Sequence, residues 1–88
     1  VQIGELMVFT EHVKIREEKF GSIIFETLRE KVFVTNETGK EILKLLEQGR
    51  SQEEIVIMLK DDYATTDSGI ENDVVDFITQ LKERGIIK

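Results

Sequence analysis

The spacing of apolar residues changes once along this chain, from a period of two to a helical period, and that change divides it into a sheet followed by helices. Val13 and Ile15 alternate with Lys14 and Arg16 in the manner of a half-buried strand. Lys19, Phe20 and Gly21 read as a turn, because glycine accepts backbone angles that other residues avoid. A β-rich run around Ile23, Ile24 and Phe25 then extends from Ser22 to Leu28. After a polar break at Arg29 and Glu30, the segment KVFVT (Lys31 to Thr35) forms a third short strand. The expectation is a three-stranded antiparallel meander, preceded by a flexible lead-in over residues 1–11, which show no clean period.

Asn36 marks the change of period. Its side-chain oxygen suits the N-cap of a helix, where it can accept a first-turn amide that lacks an intrahelical partner. Ile42, Leu45 and Leu46 follow at helical spacing, and Gly49 stands where a left-handed residue ends such a helix. Gly39, inside the first turn, costs about 1 kcal/mol relative to Ala and so suggests close approach to a neighbour. The sequence SQEE from Ser51 to Glu54 is a capping box that opens a second helix burying Ile55, Met58 and Leu59. Asp61 to Gly69 is polar and turn-rich. Beyond it Ile70, Val74, Phe77, Ile78 and Leu81 give the strongest helical period in the chain. Gly85 should stop this third helix, leaving Ile86 and Ile87 to pack back as an extended tail.

Composition narrows the functions open to such a fold. At 88 residues the chain makes one domain, and without Trp its core must rest on Ile, Leu and Val with five Phe residues as larger fillers. A net charge of −6 disfavours nucleic acid and anionic membrane as partners. The charge is local as well as global: residues 51–62 sum to −3 and residues 70–84 to −2, so neither later helix would neutralise phosphates. No apolar run approaches the roughly 20 residues that span a bilayer. The absence of Cys excludes disulfides and thiolate metal sites and fits a cytoplasmic protein.

Catalytic chemistry has little to build on. His12 is the sole histidine and reads as a surface residue. The pairs Glu17/Glu18 and Glu53/Glu54 are chain neighbours whose side chains diverge, which makes them poor acid–base couples. The acidic residues Asp61, Asp62, Asp67 and Asp73 fail as a calcium loop: aligning Gly69 with the loop glycine puts Ala64 and Val75 at the end ligand positions. No catalytic residue, metal or cofactor is expected.

Over residues 12–88 the chain resembles the PqqD-like family of peptide-recognition elements, which are winged helix-turn-helix domains of α+β class. Val34, Asn36, Gly39, Ile42, Leu45, Leu46 and Gly49 match the family's strand, cap and first helix, apart from a Thr inserted between Val34 and Asn36. Glu54 and Ile55 match its second helix; Asp73, Val74, Phe77, Ile78, Leu81 and Gly85 match its third. The resemblance implies a non-enzymatic domain that binds the leader segment of a ribosomally made precursor peptide by strand addition. It also implies presentation of that peptide to a modifying enzyme, a radical enzyme that carries an iron–sulfur cluster and uses S-adenosylmethionine.

The residues offer such a role physical support, because an edge strand carries unpaired N–H and C=O groups that can extend a ladder. Lys31, Val32, Phe33 and Val34 are the candidates for that edge, with Asp73, Asp76, Phe77, Gln80 and Arg84 on the facing helix and Phe77 as the floor. Other readings stay open here. The alternating Val32, Phe33 and Val34 can be ordinary core on one face, Phe77 can be core, and the helix charges a solvated face. An exposed edge can also pair with a second copy of the chain. A winged-helix regulator or assembly subunit acting through DNA or protein contacts is the alternative from another functional class.

Overall fold

A computed structural model describes residues 7–64 and 68–88. The order is β1 (Val13–Glu17), β2 (Ser22–Glu26), β3 (Lys31–Val34), α1 (Glu37–Glu47), α2 (Gln52–Asp62) and α3 (Ser68–Glu83). The strands form one antiparallel sheet in the order β1-β2-β3, so β3 lies at an edge. Lys19 and Phe20 make the first hairpin loop, closed by Glu18 N–H to the Gly21 carbonyl at 2.8 Å and the reverse bond at 3.3 Å. The second turn is held by the buried Glu26, whose carboxylate accepts the Arg29 N–H at 2.7 Å.

Register decides what the sheet presents. Ile15 pairs with Ile24 and Ile24 with Phe33, which sets these three on the inner face. Ile24 is fully buried there, whereas Phe33 is half-buried. Lys14, Arg16, Ile23, Phe25, Val32 and Val34 share the outer face.

The helices close the core from the other side. Ile42, Leu43, Leu45 and Leu46 of α1, Ile55 and Leu59 of α2, and Val74, Ile78 and Leu81 of α3 are buried around Ile24. Met58, expected among them, is only half-buried, because Ile55 and Leu59 occupy the inward stripe of α2. Helix α2 also runs further than its polar composition suggested. Asp61 and Asp62 complete its last turn, Tyr63 N–H bonds to the Leu59 carbonyl, and Ala64 adopts a left-handed φ of 50°.

Local caps fix where the helices begin and end. Asn36 accepts the Gly39 N–H at 2.9 Å, so the inserted Thr leaves the cap in place. The capping box of α2 is complete: Ser51 accepts from Glu54 N–H, and the Glu54 carboxylate accepts from Ser51 N–H. That second bond, with nearby Arg50 adding to it, holds the Glu54 carboxyl below its ordinary range. The stabilisation is therefore full above the unfolded glutamate's pKa and is lost as pH falls through the lower folded value. Replacing Ser51 with Ala should cost about 1 kcal/mol in urea unfolding. An unchanged midpoint would mean that tertiary packing alone sets the start of α2.

Helices α1 and α3 terminate in the same way. Past α3, Gly85 has φ 73°, its N–H reaches the Lys82 carbonyl, and Ile86 N–H reaches the Leu81 carbonyl at 2.9 Å. Past α1, Gly49 and Arg50 repeat the pattern on Leu46 and Leu45. The turn at Gly85 sends Ile86 and Ile87 back into the core, both buried.

Of the lead-in expected over residues 1–11, residues 1–6 lie outside the described residues. The part described is tied down: Phe9 bridges Ile87, Thr10 N–H bonds to the Ile86 carbonyl at 3.0 Å, and Met7 is buried.

Candidate functional site

The antiparallel ladder pairs β3 with β2 through every second residue, and the pairing parity can be read from one bond. Thr35 N–H donates to the Ser22 carbonyl at 2.9 Å, continuing the register in which Phe33 opposes Ile24 and Lys31 opposes Glu26. Residues 31, 33 and 35 therefore turn their backbone groups toward β2, and Val32 and Val34 turn theirs toward the open edge. Both valines also hold their side chains in solvent, at 58% and 65% exposure.

Beside this edge, α3 presents a stripe at positions 73, 76, 77, 80 and 84, spaced so that all face one way along the helix. Two concavities lie along it. The smaller is bounded by Phe33, Val34 and Thr35 on one side, by Phe77, Gln80, Leu81 and Arg84 on the other, with Ile24 and Ile86 beneath. The Arg84 guanidinium sits over the Phe33 ring at 4.7 Å from its centroid, bridging strand and helix. The larger, about 330 Å³, lies between the start of α1 and α3 and is lined by Asn36, Thr38, Gly39, Ile42, Asp73, Asp76, Phe77 and Gln80. Phe77 and Gln80 line both, so the two concavities adjoin along α3 as one groove.

The groove brings together most of the candidate residues and leaves two aside. Phe33, Val34, Asp73, Asp76, Phe77, Gln80 and Arg84 line it. Lys31 and Val32 belong to the same edge strand without lining either concavity. Thr35, Asn36, Gly39, Ile42 and Leu81, marked in the sequence as strand, cap, first-turn and core positions, line it as well, as does Thr38, which carried no mark there. One signal did mark the spot. A Cβ on Gly39 would lie 2.7 Å from the Thr35 Cβ and 3.1 Å from the Phe77 ring, which is the close approach that a glycine in a first helical turn suggested.

Among the described residues no cluster of three or more His, Cys, Asp or Glu side chains is placed to hold a metal ion. Asp67, part of the rejected calcium pattern, lies outside the described residues. Among those residues no helix is long and apolar enough to cross a membrane.

The fold and groove define a winged-helix domain built around a strand edge and a facing helix. The family model described as coenzyme PQQ synthesis protein D (PqqD) matches residues 11–87, and the chain belongs to that family. Among solved structures it is similar to a lasso peptide synthetase B1 complexed with the leader peptide, with a TM-score of 0.85 and 19% identity, covering 96% of this chain and 99% of that one. It is also similar to TbiB1 in complex with the TbiA(beta) leader peptide, with a TM-score of 0.82 and 22% identity, covering 91% of this chain and 93% of that one. At these identities the likeness establishes the fold. A comparison with curated proteins finds no match.

Proposed function

We propose that this domain binds an extended leader segment of a ribosomally made precursor peptide as a fourth strand against β3, and presents the peptide to a modifying enzyme. The observation that carries the reading is the pairing of two outward-facing backbone positions, Val32 and Val34, with a groove lined by Phe77 immediately beside them. Main-chain bonds along the edge supply affinity, and alternate side chains of the peptide entering the groove supply selectivity. Membership of the PqqD family and a fold shared with two proteins described as leader-bound support the same assignment. The domain contributes no chemistry of its own in this scheme. It raises the local concentration of the substrate and aligns it for an enzyme in the cytoplasm.

The enzyme is proposed, from the family resemblance, to be a radical enzyme using S-adenosylmethionine. The naming of one structural relative for lasso peptide synthesis makes a lasso-type enzyme the comparison to run. Co-purification with one enzyme encoded beside this chain and not the other decides between them. Duplex DNA fits poorly, since α2 and α3 both carry net negative charge.

An amide-resolved NMR titration with the leader of a neighbouring precursor peptide tests the binding itself. Shifts should cluster on Lys31 to Val34 and on residues 73–84. Shifts confined to other surfaces, or none at high peptide concentration, would remove the groove as the binding site. Phe77 gives a second test. Because its half-buried ring lines both concavities, Phe77→Ala should weaken leader binding about tenfold and cost about 2 kcal/mol of stability. Calorimetry under conditions where the variant is fully folded separates the two effects.

A further inference from the structure

The groove is electrically polar along its length. At one end, Arg84 lines the groove and lies over Phe33; outside the lining, the Arg29 guanidinium packs against Gly85 with Nη1 3.5 Å from where a Cβ would stand, and Lys31 shares the inner sheet face with Phe33. Glu26, a carboxylate on the same sheet face, is buried and accepts the Arg29 backbone N–H. At the other end Asp73 and Asp76 line the larger concavity, and no cation does. Across Thr38, whose hydroxyl meets the Tyr63 hydroxyl at 3.3 Å, a neighbouring depression adds Glu37, Glu41 and Asp62.

Two basic side chains on α1 and α2 are engaged elsewhere. Lys40 bonds to the Glu18 carbonyl, and Lys60 faces Glu71. Asp73 and Asp76 are exposed and, among the described residues, have no ion-pair partner. Between the two ends Phe33, Phe77, Leu81 and Ile86 give the walls an apolar stretch, with the uncharged Thr35 and Gln80 beside them.

We infer that the groove selects a leader segment in which a basic residue, an apolar residue and an acidic residue recur at every second position, in that order from the N-terminal side. This rests on the peptide-binding reading above and specifies its ligand. The spacing follows from geometry. Asp76 and Arg84 are eight residues apart on α3, or about 12 Å. Two side chains on one face of an extended peptide, four residues apart, span about 13 Å. The basic residue meets Asp76 and Asp73, the apolar residue meets Phe77 and Leu81, and the acidic residue meets Arg84. Antiparallel addition, which continues the pattern of the sheet and is slightly more stable per residue than parallel addition, sets the order. Strand β3 runs from the basic end toward the acidic end, so an antiparallel partner enters at the acidic end.

Selection of a random dodecapeptide display library on this chain tests the assignment, with enriched peptides placed on the domain by amide shifts. The wild type should enrich the pattern basic, any, apolar, any, acidic, and binding should weaken as salt rises. The exposed pair Asp73→Lys with Asp76→Lys should abolish the basic preference and weaken wild-type-selected peptides about tenfold; Arg84→Glu should abolish the acidic preference. Peptides that shift groove amides but carry no charge order, or the reverse order, would overturn this inference and leave peptide binding standing. Failure to enrich any peptide that shifts groove amides would overturn both.

Discussion

Replacing Val32 and Val34 together with Pro should leave the domain folded and reduce leader affinity about a hundredfold. Both residues face their backbone N–H groups to the open edge, so proline removes no bond to β2 and meets the condition under which an edge strand tolerates it. An added strand would lose two main-chain donors at about 1 kcal/mol each and would meet two ring methylenes where those donors stood. A loss of about 2.8 kcal/mol corresponds to the hundredfold effect. The control is the double replacement by Ala, which removes the exposed side chains but keeps both donors and should bind far more tightly than the proline variant. Equal weakening by the two pairs, with folding intact by circular dichroism, would place the side chains rather than the backbone at the contact.

The second large effect is on stability. Gly21→Ala should cost about 3 kcal/mol or more, and for a domain of this size lower the melting temperature by about 15 °C. A Cβ at this position overlaps the Thr35 carbonyl oxygen and lies 2.6 Å from the Asn36 carbonyl carbon, with φ at 158°. The obstructing atoms are backbone, so no rotamer change relieves them. They belong to the junction where β3 ends and α1 begins, which also forms one wall of the groove. Strain there should displace Asn36 from its cap and disturb the larger concavity along with the fold. A loss below about 1 kcal/mol in urea unfolding would mean that the first hairpin slides away from the junction at little cost.

Gly21, Val32 and Val34 differ in how much of their role lies in neighbouring residues. Gly21 was legible as a turn residue from its neighbours in the chain. Its contact with Thr35 and Asn36 was not, because it joins residues 14 and 15 positions apart through the sheet register. Val32 and Val34 were legible as alternating strand residues. Which of them offered backbone groups to the edge depended on whether residue 35 or residue 34 bonds to β2, a parity that alternation alone does not give.

The lead-in differs in kind. The short bridge of Phe9 to Ile87 joins the two ends of the described chain, and neither partner has enough neighbours to show a period. Within the groove, Thr35, Thr38 and Ile42 carried no mark of a site, since each has an ordinary local role in a strand, first turn or core.

The order of three strands and three helices, the caps at Asn36 and Ser51, the stops at Gly49 and Gly85 and most of the core were legible in the chain of residues alone. All of these rest on interactions within four or five residues or on the periodicity of one element, and such interactions are written in consecutive residues. The meeting of Phe33 and Arg84, 51 positions apart, with the guanidinium over the ring, and the placing of acidic and basic ends along one groove came from the folded arrangement. A groove is the space left between elements, and its walls are set by how sheet and helices pack around Ile24 rather than by any single segment.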